Sequence, residues 1–105
     1  MKPKQSQLIQ QIKQVVDKVA SAHQVVLFGS RARGDFRKDS DWDFLIIIDQ
    51  EAFGQEEKIQ LRDKLYELEL ATDSVLNVII HTRREWEQRA VTPFYEVIQE
   101  EGQTL

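Results

Sequence analysis

The sequence predicts an α/β (α+β) domain in which a small mixed β-sheet carries its helices mainly on one face. Two observations support this class: short runs of β-branched residues are typical of strands, and stretches with a helical apolar stripe alternate with those runs. A chain of 105 residues, 41% of them apolar, has room for one modest core. We therefore expect residues 1–105 to form a single domain.

The first element is an amphipathic helix over Lys4 to Ala22. Its apolar residues recur at helical spacing, while Lys and Gln fill the other side, so one stripe faces a core. The stripe consists of Leu8, Ile9, Ile12, Val15, Val16 and Val19.

Two strands follow, separated by a turn region. Gln24 to Phe28 is short and rich in β-branched residues, and Gly29 with Ser30 ends it in a tight turn that Gly34 closes. Asp41 to Asp49 contains a continuous apolar run, which is typical of a central strand covered on both faces. Its carboxylates lie at the start of that strand.

The second half predicts a helix, a strand and two short helices. Glu56 to Leu70 has helical apolar spacing, and Val75 to Ile80 is β-rich. Thr82 with Glu85 has the form of a capping box, and Thr92-Pro93 starts another helix that Gly102 ends. The stripe of the long helix comprises Ile59, Leu61, Leu65, Tyr66 and Leu68, and the C-terminal apolar residues, which cover the sheet or dock a partner, are Trp86, Phe94, Tyr95 and Ile98.

Composition narrows the function classes. The chain has no cysteine, so disulfides and thiolate-ligated zinc are excluded and the cytoplasm is the expected compartment. A net charge of −4 disfavours nucleic-acid binding through the overall field. The longest apolar run, Phe44 to Ile48, is too short for a membrane span. The cationic residues Arg31, Arg33, Arg37 and Lys38 suit one triphosphate better than a duplex.

The segment GSRARGDFRKDSDWD, from Gly29 to Asp43, holds the candidate chemistry. Because alternate strand residues point to one side, Asp41 and Asp43 present their carboxylates together. Two like charges need a cation, and hard oxygen ligands beside a triphosphate favour Mg²⁺ or Mn²⁺. Gly29 lets the backbone approach a ligand, and Ser30 offers its hydroxyl and N–H to phosphate.

The spacing of these residues resembles the GSX10DXD signature of the DNA polymerase β nucleotidyltransferase superfamily. In length and element order the chain resembles its minimal nucleotidyltransferase (MNT) group, which supplies the antitoxin of HEPN/MNT toxin-antitoxin pairs. The resemblance implies that Gly29 and Ser30 hold the β- and γ-phosphates of ATP, that Asp41 and Asp43 bind the metal, and that Arg31 and Arg33 help to neutralise charge.

The sequence departs from that family at the third carboxylate. Active members carry it on a neighbouring strand, where this chain has Asn77, a weaker metal ligand and no base at neutral pH. Asp73 lies four positions earlier, about 13 Å along an extended chain. Three readings stay open: another residue fills the third role, a partner supplies it, or the domain binds nucleotide without efficient turnover.

Two histidines, His23 and His81, have no motif partner and are expected to be structural. The first functional hypothesis is Mg-dependent transfer of AMP from ATP to a hydroxyl of a HEPN-type partner protein. The alternatives are a nucleotide-binding antitoxin that acts stoichiometrically and a transferase for a small hydroxyl compound. A homo-oligomer is also possible, since the chain has no room for an acceptor domain.

Overall fold

The computed structural model describes the backbone of residues 3–105 and the side chains of residues 7–105, so the first two positions of the expected domain lie outside the described residues. Each helix and strand expected from the sequence is present. The described residues add a single helical turn at Ser30–Arg33, where the sequence predicted a tight turn, and a short C-terminal strand. The elements are α1 (Pro3–Val19), β1 (His23–Phe28), α2 (Ser30–Arg33), β2 (Trp42–Ile48), α3 (Gln55–Thr72), β3 (Leu76–Thr82), α4 (Arg83–Glu87), α5 (Pro93–Glu101) and β4 (Gln103–Thr104).

The four strands form one mixed sheet in the order β3-β2-β1-β4. β1 is antiparallel to β2 and to β4, whereas β3 is parallel to β2. The parallel pair aligns Asp43 with Asn77, and the antiparallel pair aligns Phe28 with Asp43. The expected mixed sheet is confirmed, and the two strands around the turn are neighbours in it.

One side of the sheet, which we call the helical face, packs against α1 and α3. Even-numbered residues of β2 point to this side, and Phe44 is fully buried there. Both long helices contribute an apolar stripe to this core. Within the described part of the chain, no helix has an apolar stretch long enough to cross a membrane. Residues of this core include Ile12, Val16, Val25, Leu27, Phe44, Ile46, Ile48, Leu61 and Leu65.

The other side, which we call the open face, has a smaller core under the short helices α4 and α5. Trp86 is buried and stacks on Tyr95 with ring centroids 4.8 Å apart. This confirms that the C-terminal aromatic residues cover the sheet. Because only short helices lie here, the bulk of the helical packing is on one face, as expected. The buried residues of this smaller core are Val26, Leu45, Ile47, Trp86 and Ile98.

The long helix α3 buries a narrower stripe than the sequence predicted. Leu61, Leu65 and Leu68 follow i, i+4, i+7 spacing and face the core. Ile59 and Tyr66 lie off that line and are 50% and 59% exposed, so their predicted place in the stripe was wrong. The helix ends at Asp73, which adopts a left-handed conformation with φ 52°.

Local capping follows the sequence. The Thr82 side chain accepts from the Glu85 N–H, and the Glu85 carboxylate accepts from the Thr82 N–H. Thr92 caps α5, and Gly102 ends it. Gly102 is needed for close packing, because an added Cβ would lie 2.6 Å from the Ile98 carbonyl oxygen. That close approach lets β4 turn back and pair with β1.

Candidate functional site

The two aspartates of the sequence motif lie at the start of β2, on the open face. Strand alternation sends Asp41 and Asp43 to this side and the intervening Trp42 to the helical face, where its ring stacks on Phe44 at 6.0 Å between centroids. Trp42 is therefore a packed ring of the core. Asp41 is exposed and Asp43 half-buried, so the carboxylates are open to a ligand.

A third polar side chain joins the two carboxylates. Asn77 lies on β3 directly beside Asp43 in register. Its Nδ2 donates to Asp41 Oδ2 and to Asp43 Oδ1, both at 3.1 Å. An ionised carboxylate only accepts hydrogen bonds, so the amide nitrogen must be the atom that faces them. The three side chains expected at the centre of the site therefore meet.

Gly29 brings the backbone of the turn against Asp43. Its φ is 78°, a conformation that an L-residue adopts only with strain. A Cβ at this position would overlap Asp43 Oδ2. Glycine is therefore required here twice, for its dihedral angle and for the space that the carboxylate fills.

Ser30 begins the short helix α2 directly after Gly29. The Gly29 carbonyl accepts from the amides of Ala32 and Arg33 at 3.1 and 3.0 Å, and the Gly34 amide donates to the Ser30 carbonyl. Since neighbouring Cα atoms are about 3.8 Å apart, the contact of Gly29 with Asp43 brings Ser30 close to the carboxylates. The single turn of α2 thus holds the serine at the edge of the site.

Arg31 has a structural role that the sequence did not predict. Its guanidinium donates to the backbone carbonyl of Ser40 at 2.9 and 3.1 Å and to that of Lys38 at 3.3 Å. It also lies 4.1 Å from the centroid of the Trp42 ring and 4.7 Å from that of Phe36. Burial lowers the pKa of Arg31. These contacts fix the loop between α2 and β2, and so the start of β2.

Arg33 is exposed beside the same turn. It pairs with Asp35 at 3.4 Å and with Glu101 at 3.2 Å, and the hydrogen bond that Arg33 donates to Asp35 raises the pKa of Arg33. Exposed ion pairs of this kind are weak. Arg33 can exchange these partners for a phosphate at small cost.

Other polar residues that the sequence raised lie outside the site. Asp73 caps the end of α3 and is not bonded to Asp41 or Asp43. The His23 ring nitrogen lies 2.8 Å from the Ala20 carbonyl oxygen, and His81 stacks on Trp86. The Ser40 hydroxyl accepts from the Arg37 amide and so stabilises the turn before β2.

The donor set fits one divalent cation. Among residues 7–105, no three His, Asp or Glu side chains gather into a complete metal cage. Two carboxylates leave most of the coordination sphere to water and phosphate, which is the usual way for Mg²⁺ to bind beside a triphosphate. The close approach of Gly29 brings the backbone of the turn directly beside the Asp43 carboxylate.

Two solved structures resemble this fold. The crystal structure of a toxin-antitoxin with AMP-PNP matches with a TM-score of 0.63 and 19% identity, covering 90% of this chain and 69% of that chain. A putative nucleotidyltransferase from Sulfolobus solfataricus matches with a TM-score of 0.51 and 23% identity, covering 84% and 81%. At these identities the likeness concerns the fold.

Sequence comparison gives the family. The protein adenylyltransferase MntA of Aphanizomenon flos-aquae (strain 2012/KM1/D3) is 41% identical over 39 residues, 37% of this chain and 26% of that protein. The match thus spans about a quarter of the relative's length. The family model "Polymerase beta, Nucleotidyltransferase" matches residues 10–98, which is most of the chain. This chain belongs to the polymerase β nucleotidyltransferase family.

Proposed function

We propose that this chain transfers AMP from ATP to a hydroxyl of a HEPN-type partner protein, as the antitoxin of a toxin-antitoxin pair. The observation that carries the proposal is the meeting of the Gly29 turn with the carboxylates of Asp41 and Asp43. A turn that approaches a ligand through its backbone and a carboxylate pair that attracts a cation are the two parts that a nucleoside triphosphate requires.

The comparisons support the acceptor class. The relative that shares 41% identity over 39 residues is a protein adenylyltransferase, and the structure with the TM-score of 0.63 is a toxin-antitoxin with AMP-PNP. A small domain of this kind gains an acceptor most simply from a second protein.

The residues divide the work of the reaction between them. Gly29 and Ser30 would hold the β- and γ-phosphates, and Arg33 is placed to neutralise charge at the same edge. A divalent cation held by Asp41 and Asp43 would draw electron density from the α-phosphate. The acceptor oxygen bonds to the α-phosphorus, the bond to the bridging oxygen breaks, pyrophosphate leaves, and the hydroxyl proton passes to water.

The test is transfer of label to the partner. The product of the adjacent reading frame, if it is a small basic helical protein with an Arg-X₄-His motif, is incubated with this chain, Mg²⁺ and ATP labelled at the α-phosphate. We expect the label on the partner and a mass increase equal to one AMP. Label from ATP carried only at the γ-position would contradict nucleotidyl transfer.

Matched variants separate chemistry from folding. Ser30→Ala and Asp41→Ala should abolish labelling, whereas Ser21→Ala and Asp63→Ala alter exposed residues away from the site and should not. Unchanged labelling by Asp41→Ala would reject the proposed site.

A second function is favoured by Asn77. Because an amide cannot act as a base at neutral pH, the site has no evident group to take the proton of the acceptor hydroxyl. A stoichiometric antitoxin that binds nucleotide without turnover fits this feature. Neutralisation of the partner with neither label nor mass increase would establish that function instead.

A further inference from the structure

We infer that Asn77 is a positioning residue that restricts the carboxylate pair to a single divalent cation. The inference deepens the proposed function, because it concerns how the same site would hold metal. It rests on contacts made by Asn77, Asp41, Asp43 and Gly29.

The first step concerns which carboxylate oxygens remain available. Asn77 Nδ2 engages one oxygen of each carboxylate, Oδ2 of Asp41 and Oδ1 of Asp43. The remaining oxygen of Asp43, Oδ2, lies where a Cβ of residue 29 would be, and so faces the Gly29 turn. The amide therefore closes one side of the pair, and the second oxygen of Asp43 is directed to the Gly29 turn on the other side.

The second step concerns what an amide N–H₂ does to a cation site. Its protons are donors with partial positive charge, so a cation beside them is repelled and finds no ligand. On the closed side the amide takes the place of a cation, because its two N–H groups donate hydrogen bonds to both carboxylates and so stabilise the two like charges. On the turn side Asp43 Oδ2 faces the Gly29 backbone, and this is where we expect the one cation to bind between the carboxylates and a phosphate.

The third step concerns charge. A carboxylate at position 77 would place a third negative group beside Asp43, in register with it on the neighbouring strand. Like charges this close require a further cation to be tolerated. The neutral amide removes that requirement, so the residue type at position 77 sets the number of cations.

The test counts cations by their magnetic coupling. The whole chain is loaded with Mn²⁺ and an ATP analogue that has a non-hydrolysable α,β-bridge, and electron paramagnetic resonance is recorded. Two ions about 3.5–4 Å apart give an exchange-coupled signal, and one ion gives an isolated signal. We expect the isolated signal for the wild type and the coupled signal for Asn77→Asp.

A second variant tests positioning. Asn77→Ala should bind Mn²⁺ about 10- to 100-fold more weakly, as when a group that orients a metal ligand is removed. Thr104→Ala, at the far edge of the sheet, is the control and should leave the affinity unchanged. The Asn77→Ala measurement also keeps the inference testable if Asn77→Asp does not fold.

Three results would overturn the inference: a coupled pair in the wild type, an isolated ion in a folded Asn77→Asp protein, or unchanged affinity in Asn77→Ala. No acceptor is present in these measurements, so the proposed transfer is tested separately. A chain that holds one Mn²⁺ as described but labels no partner would retain this inference and lose the proposed function.

Discussion

The two faces of the sheet divide stability and chemistry between them, and β2 contributes to both. Its even-numbered residues enter the large core under α1 and α3. Its odd-numbered residues face the other way, where α4 and α5 cover Leu45 and Ile47 but leave Asp41 and Asp43 accessible. A small domain can thus keep a strand rigid through one face while the opposite face of the same strand carries a charged site.

The incomplete cover of the open face explains where the site lies. Phe28 and Phe94 meet edge to face at 5.3 Å between centroids and end the apolar part of this side. At the pairing of Phe28 with Asp43 the apolar packing gives way to the carboxylates. Charged groups at the centre of the sheet would require burial, whereas at this end they keep their access to water.

The largest loss of stability is expected from a substitution on the helical face. Phe44→Ala removes a fully buried ring and should lower the free energy of unfolding by about 3–5 kcal/mol. Asp43→Ala, one position earlier on the same strand, should cost far less. Urea denaturation of both variants measures the difference. Equal losses would contradict the division of labour between the faces.

Removal of one charge from the open face should affect binding instead of stability. Asp43→Asn should reduce the Mg²⁺-dependent affinity for ATP at least about tenfold, because loss of a contact to a charged group costs about 1.5–3 kcal/mol. Asp63→Asn, an exposed carboxylate on α3, is the control. Calorimetric titration with and without Mg²⁺ gives the affinities, and an unchanged metal dependence in Asp43→Asn would reject the carboxylate site.

The turn between the faces offers a matched pair of glycines. Gly29 and Gly34 have φ of 78° and 88°, so alanine is strained at both by about 1–3 kcal/mol. Only at Gly29 would the methyl group also meet Asp43, since nothing lies within 4 Å of a Cβ at Gly34. We expect Gly29→Ala to lose Mn²⁺ binding and Gly34→Ala to retain it, although both melt at lower temperature. Loss of binding in both variants would assign the effect to strain alone.

The smallest expected effect is a pH dependence of the stability of the fold that comes from His81, which packs in the open-face core. Burial, followed by the nearby Arg89, lowers the pKa of His81, so the unfolded chain binds this proton more tightly than the folded one. Stability from this group is complete above the unfolded pKa of about 6.5 and falls as the pH drops through it. His81→Gln should flatten the decline in melting temperature between pH 7 and pH 5. Identical slopes would contradict this assignment.

Protonation of Glu85 should also lower the stability of the fold, but at lower pH. The hydrogen bond from Lys58 lowers its pKa, so its contribution is present above the unfolded pKa of about 4.3 and is lost as the pH falls through the folded value. The losses of stability from the two groups therefore fall at different pH values. When the melting temperature is measured from pH 7 down to pH 3, the loss due to His81 should appear before the loss due to Glu85.

Much of this arrangement could be predicted from the sequence because it depends on local patterns. Strand alternation fixed the side of Asp41 and Asp43, and the capping residues Thr82 and Thr92 fixed two helix starts. Those signals operate within a few residues, where side-chain periodicity and backbone hydrogen bonds decide the conformation.

The features that the sequence did not predict depend on contacts between distant segments. β4 is two residues long and has no periodicity, and it exists because β1 offers a free edge. The sequence suggested a phosphate role for Arg31, but its guanidinium finds carbonyls at Lys38 and Ser40 and a ring at Trp42. The two bonds of Asn77 depend on the register of β3 against β2, which no local pattern specifies.

The pairing of β4 with β1 also sets an order on folding. Val26 pairs with Thr104, so the outer edge of the strand that leads into Gly29 is completed by residues at the opposite end of the sequence. Closing so long a loop costs entropy before any contact compensates for it. Before residues 103–105 are in place, β1 keeps an unpaired edge, and an unpaired edge is open to other strands. Residues 103–105 therefore protect the edge of β1 from pairing with other strands.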